Sequence, residues 1–203
     1  MKHALTCKSI TLTFSLLARK MRRFKLKLLP LFLLILLGCA TFSQKNYDET
    51  VSEWKSYEDV EKWMKRYFSY DMRRFNESIY EWKSFKKPTS VRKPKETFEL
   101  RSGVCFDAAR FVKETLNRID PSYEAEIVFI VRDTHHHFAC SFRKDGKLYI
   151  MDYGATYQSL RGVHGPYNSL IEYRKFLEMN SPVGVKILNV KFGWPKDFEK
   201  YLE

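Results

Sequence analysis

The stretch HFACSFRKDGKLYIMD, residues 137–152, decides the architecture. Two runs of alternating or β-branched residues, 137–142 and 147–152, flank Lys144-Asp-Gly146, a turn signal that joins neighbouring antiparallel strands. With the preceding residues included, alternation sets His135, His137, Ala139 and Ser141 on one face and His136, Phe138, Cys140 and Phe142 on the other. The second set is the more apolar and marks the core face. His137 is therefore expected to point out of the core, towards a cleft at the edge of the sheet. Asp152 ends the neighbouring strand, and hairpin pairing is expected to bring it close to the start of the His137 strand.

Working outward, AEIVFIV from Ala125 reads as a third strand. Further upstream, GVCFDAARF (103–111) opens a helix that keeps Ala108, Ala109, Val112 and Leu116 apolar, as a largely buried helix does. Ser56-Tyr-Glu-Asp59 resembles a capping box and precedes Val60, Trp63, Met64, Tyr67 and Phe68 at helical spacing. Between these helices, KKPTSVRKPK (86–95) reads as a surface loop, and 96–101 as one or two helical turns. Downstream come a loop rich in Gly and Tyr (153–167), a helical stretch (168–179) and a last strand from Val183. Helices first and sheet second make an α+β domain.

A net charge of +12 invites a nucleic-acid reading, but the charge is unevenly placed. Residues 1–39 hold eight Lys or Arg and no acids, which leaves 28 basic against 24 acidic residues in the remainder, a net of +4. No basic run with interleaved aromatics remains there to form a nucleic-acid groove. The lopsided segment has the form of an export signal: MRRFKLK (21–27) followed by LLPLFLLILLGCA (28–40). Its apolar run contains Pro30 and is about half of what a spanning helix needs. It ends in Leu36-Leu-Gly-Cys39, which resembles the lipobox of bacterial lipoproteins, where a lipid is attached to the cysteine before cleavage. A signal starting at Met21 has the usual length, so Met21 competes with Met1 as the start. The expected organisation is a signal segment (1–38), a lipidated tether (39–50) and one domain (51–203). Localisation follows as a cell envelope, anchored through Cys39; Ala40 after that cysteine resembles outer-membrane lipoproteins in double-membraned cells.

Cys105 and Cys140 are the cysteines left to the domain. A pair is feasible in an oxidising compartment, but alternation turns Cys140 to the core while Cys105 stands at a helix start. There the exposed amides and the helix dipole favour a thiolate, the reactive form. A cysteine nucleophile needs a base and a third group to hold that base, and His137 and Asp152 are the candidates. Asp107 reads as structural, satisfying amides of the first helical turn, although its negative charge raises the thiol pKa and so works against the dipole's effect on Cys105. Three histidines at 135–137 with Asp133 nearby raise a zinc alternative, but two imidazoles on one face without a CxxC or HExxH partner make a weak site. No metal or cofactor is expected.

Together these residues resemble the transglutaminase-like superfamily, with its papain-like α+β core and its Cys, His, Asp order. The resemblance rests on Gly103-x-Cys105-x-Asp107-x-Ala109, on His137 followed by Cys140 and Phe142, and on Asp145-Gly-Lys-Leu-Tyr-x-x-Asp152. It implies N-terminal helices and a nucleophile-bearing central helix packed on an antiparallel sheet. It also implies Cys105 as nucleophile, His137 as general base and Asp152 as orienting partner, acting through a thioester on a peptide or protein amide. Hydrolysis, by an amidase or peptidase, is preferred over acyl transfer. Ala139 stands where many members carry a tryptophan, and Trp82 is a candidate second oxyanion donor that its spacing does not identify. The competing reading is a catalytically inactive domain that binds peptide or glycan of the cell envelope in a cleft with Tyr153, Tyr157 and Tyr167; a monomer is expected in either case.

Overall fold

A computed structural model of the chain describes residues 45–83 and 90–202. The signal and lipidation readings, with Cys39, lie outside these residues, as do positions 86–89 of the expected surface loop. The described residues begin with helices α1 (Tyr47–Glu53), α2 (Tyr57–Tyr67), α3 (Met72–Lys83) and α4 (Pro94–Leu100). Short strands β1 (Ser69–Tyr70) and β2 (Ser102–Gly103) lie before α3 and after α4 and pair in parallel. The central helix α5 (Cys105–Ile119) follows, then β3 (Glu126–Arg132), β4 (His137–Lys144), β5 (Lys147–Asp152), β6 (Gly162–Tyr167), α6 (Leu170–Asn180) and β7 (Ile187–Phe192). The last five strands form an antiparallel sheet in the order β6-β5-β4-β3-β7. The α+β reading and the helix-then-sheet order are the observed ones.

The hairpin forms as its turn signal dictates. Lys144 pairs with Lys147, and Asp145 and Gly146 between them both take positive φ, 52° and 72°. That turn matches the right-handed twist of the flanking strands. Strand β6 falls inside the segment read as a Gly- and Tyr-rich loop, and β7 begins at Ile187, later than Val183.

Both faces of the sheet are covered. On one, α5 lays Phe111, Val112 and Leu116 against Cys140, Phe142 and Met151, with Trp63, Met64 and Phe98 from the earlier helices. On the other, α6 contributes Tyr173 and Leu177 over Val128, Ile130, Ala139, Leu148 and Ile150. Strand β3 is consequently a continuous apolar run, as strands buried on both faces are. The second cover overturns the expectation that the His137 face looks out of the core: Ala139, Ser141 and His137 are all buried.

The domain also starts earlier than residue 51. Asn46 accepts from the Glu49 amide at 3.0 Å and its own amide donates to the Glu49 carboxylate, a reciprocal cap. Tyr47 behind it is buried, with its ring against Phe98 and its hydroxyl 3.0 Å from that of Thr115. Residues 46–50 are therefore part of the packed domain, a correction to the tether boundary.

Candidate active site

Cys105 is the first residue of α5, preceded by extended Val104. The helix start is built by Asp107, whose carboxylate accepts from the Val104 amide at 3.0 Å and from the Arg92 amide at 2.8 Å. Arg74 of α3 grips the same carboxylate at 2.7 Å through Nε and 3.0 Å through a terminal nitrogen. Asp107 is fully buried, so this cation offsets a charge that would otherwise stand bare beside the thiol. Its reading as a structural carboxylate that caps the helix start is the observed role. Gly103 makes room for it, since a Cβ there would lie 2.7 Å from the Asp107 Cβ.

His137 opens β4, and the β4–β5 register, which pairs Cys140 with Met151, carries Asp152 on towards Ala139, diagonal to His137. The His137 Nε2 and an Asp152 carboxylate oxygen, Oδ2, are 2.6 Å apart in a hydrogen bond. Both residues are buried, at 5% and 1% exposure. Burial opposes the charged imidazole, but the Asp152 charge, the Asp152 hydrogen bond and the contact with Cys105 outweigh it and raise the His137 pKa to about 9. With Nε2 committed to Asp152, Nδ1 is the ring nitrogen left for the Cys105 side. The structure thus brings Cys105, His137 and Asp152 into one constellation.

Two neighbours of this constellation were not legible in the sequence. Gly154 lies against the nucleophile candidate so closely that a Cβ would come within 2.5 Å of the Cys105 Cα and 3.0 Å of its Cβ. Tyr70 faces the same place through the β1–β2 pairing, opposite Gly103. Burial pushes its phenol up, and the charges of Cys105 and Asp152 push it further. The dipeptide after Asp152, ending in glycine, was the one available hint of the first; a two-residue parallel pairing offers none for the second.

Cys105 itself is only 6% exposed, against the expectation of an exposed helix start. What reaches it is a cavity of about 470 Å³ between α3 and the β3–β4 turn, lined by Phe75, Ser78, Ile79, Cys105, Phe106, Thr134, His135, His136 and Phe138. Neither His137 nor Asp152 is among those lining residues. His135 and His136 precede the strand and are exposed, so alternation does not extend to them and His136 is not a core residue. Their rings pack instead on Phe75 and Phe129. Among the described residues, no group of three or more His, Cys, Asp or Glu stands in a metal-holding arrangement.

Tyr153 and Tyr167 of the competing reading do not share one cleft, while Tyr157 is exposed. Tyr153 belongs to the cluster under α5 and Tyr167 packs against the cluster under α6, on opposite faces of the sheet. Ala139, in place of a tryptophan, lies in the cluster with Tyr173 and Leu177. Trp82 is on α3, with its side chain outside the described residues. Cys105 and Cys140 are both free thiols; burial pushes that of Cys140 up.

A sequence model of the transglutaminase-like domain matches residues 40–168, well over half of the chain. The chain belongs to this family. The matched span of the transglutaminase-like domain runs from before α1 through β6 and includes every member of the constellation. No curated protein matches the chain.

Proposed function

We propose that this transglutaminase-like protein is an exported lipoprotein that cleaves an amide bond with Cys105, as an amidase or peptidase. The observation that carries the catalytic reading is the buried 2.6 Å bond between His137 and Asp152, with the Cys105 side chain against the same imidazole at a helix N-terminus. A cysteine, a base and an orienting carboxylate in hydrogen-bonded series are what nucleophilic acyl chemistry requires.

In this reading the Cys105 sulfur attacks the amide carbonyl carbon, and its proton resides on His137. The raised His137 pKa keeps that proton in place at neutral pH. Charge developing on the carbonyl oxygen meets the Cys105 amide at the helix start. As the C–N bond breaks, His137 gives its proton to the departing amine and a thioester remains on Cys105. Water then attacks the thioester, His137 takes its proton, and the S–C bond breaks to release the carboxylic acid. Asp152 holds the ring in the tautomer that serves both steps. Hydrolysis is preferred over transfer because water is abundant outside the cell and no amine site is evident.

The test is a screen of the full chain, in detergent, against peptide, glutamine-amide and cell-wall peptide substrates, with Cys105→Ala as control. Turnover that survives the substitution would remove Cys105 from the nucleophile's role. Export and anchoring rest on LLGCA after a basic and apolar segment. They predict a mature protein that begins at a lipid-modified Cys39, read by mass spectrometry of membrane extracts, and an unmodified Cys39 behind an intact segment would refute them.

A further inference from the structure

The cavity at Cys105 has a composition that bears on what the site accepts. Phe75 and Ile79 of α3 form one wall, and Phe106 of α5 and Phe138 of β4 form another. Among the described residues that line it there is no carboxylate, lysine or arginine. Four of its lining side chains are polar. Ser78 donates its hydroxyl to the Phe75 carbonyl at 2.8 Å, and Thr134, His135 and His136 are exposed at the rim.

The apolar walls are also backed by a second layer. Phe138 packs on Trp194 at 5.1 Å and on Phe198 at 4.9 Å between ring centroids, and Phe106 meets Phe198 at 5.7 Å. Rings wedged in this way do not swing to present a different surface. The cavity's volume of about 470 Å³ falls in the usual range for ligand pockets, roughly 300 to 1,000 Å³. It has room for an aromatic side chain.

Resting on the reading of Cys105 as nucleophile, we infer that the substrate carries an aromatic or large aliphatic side chain on the acyl side of the scissile amide, seated among Phe75, Ile79, Phe106 and Phe138. The acyl side is the one that stays bonded to sulfur in the thioester, and the thiol is part of this cavity's lining. A charged side chain would be stripped of water there without a partner, and a glutamine amide would leave donors and acceptors unpaired.

Alkylation of the wild-type chain tests this without a known substrate. N-acetyl dipeptidyl chloromethyl ketones are compared, with Phe, Leu, Gln, Asp or Gly in either of the two positions and Ala in the other. The Cys105 sulfur bonds to the methylene carbon, the C–Cl bond breaks and chloride leaves, so the rate reports how well each side chain seats the probe. Iodoacetamide, which needs no subsite, measures the thiol alone. The expected result is modification of Cys105 at least tenfold faster by the best Phe or Leu probe than by any Gln, Asp or Gly probe. Equal rates across side chains, or a faster Gln or Asp probe, with iodoacetamide still reacting, would overturn the inference and leave the nucleophile standing. A Cys105 that resists iodoacetamide as well as every ketone would overturn the nucleophile reading and this inference with it.

Discussion

His137 Nε2 and Asp152 Oδ2 lie 2.6 Å apart in a pocket that solvent scarcely reaches, while Asp152 Oδ1 is buried without a hydrogen-bond partner among the described residues. A carboxylate held by one strong bond depends on that bond. Asp152→Asn should lower kcat on the order of 10²- to 10⁴-fold with a smaller effect on KM, because the ring loses its orienting charge. Cys105→Ala should abolish turnover, and Asp152 should remain the mildest of the three positions. Steady-state kinetics on any substrate found in the screen decides this, and unchanged kcat in Asp152→Asn would remove its orienting role.

The raised His137 pKa makes a prediction about pH. The folded value is about 9 against about 6.5 in an unfolded chain, so the protonated imidazole contributes stability that is fully present below pH about 6.5. That contribution is lost as pH rises through about 9. Urea midpoints measured from pH 6 to 10 should fall across this window, and His137→Phe should flatten that part of the profile. Turnover should decline over the same alkaline limb as His137 loses the proton it gives to the leaving amine.

Gly154→Ala should damage the site from a residue that carries no functional group. A Cβ 2.5 Å from the Cys105 Cα forces the β5–β6 connection or the helix start to move. Overpacking of this kind costs about 1–3 kcal/mol. Denaturation should show that loss together with altered alkylation of Cys105; a variant with wild-type stability and labelling would mean that the close approach is easily relieved.

Asp107→Ala should be the most destabilising single change near the site. It strands the Arg74 guanidinium and the Val104 and Arg92 amides in the interior, and breaking one side of a buried ion pair costs about 3–5 kcal/mol. Arg74→Met, which leaves the Asp107 charge unneutralised, should cost a similar amount. A loss under about 1 kcal/mol in urea titrations would show that the cluster relaxes around the gap.

Iodoacetamide at neutral pH should modify Cys105 before Cys140. Both thiols are buried, so the contrast is not one of exposure. It rests on access through the cavity to Cys105, whereas Cys140 is sealed under α5, donates to the Ser141 carbonyl at 3.3 Å, and has its pKa pushed up by burial. Peptide mapping after partial labelling reads the order directly, and equal labelling would contradict it.

The local features were open to reading from the sequence because their causes are local. The turn at Asp145 and Gly146 needs only two residues that tolerate positive φ, and strands β4 and β5 follow from the alternation on either side. The apolar spacing of α5 and the order of Cys105, His137 and Asp152 were legible for the same reason. Outward placement of His137 failed because a helix some 30 residues downstream, carrying Tyr173 and Leu177, covers that face, and no pattern within β4 records it. The core role given to His136 failed because β4 starts one residue later, so the period-two rule was applied where there is no strand. Residue types, turns and periodicities were therefore set by the chain itself. The burial of the His137–Asp152 pair, the approach of Gly154 and Tyr70 to Cys105 and the apolar cavity over the thiol were decided by tertiary packing, because each depends on surfaces contributed by segments distant in sequence.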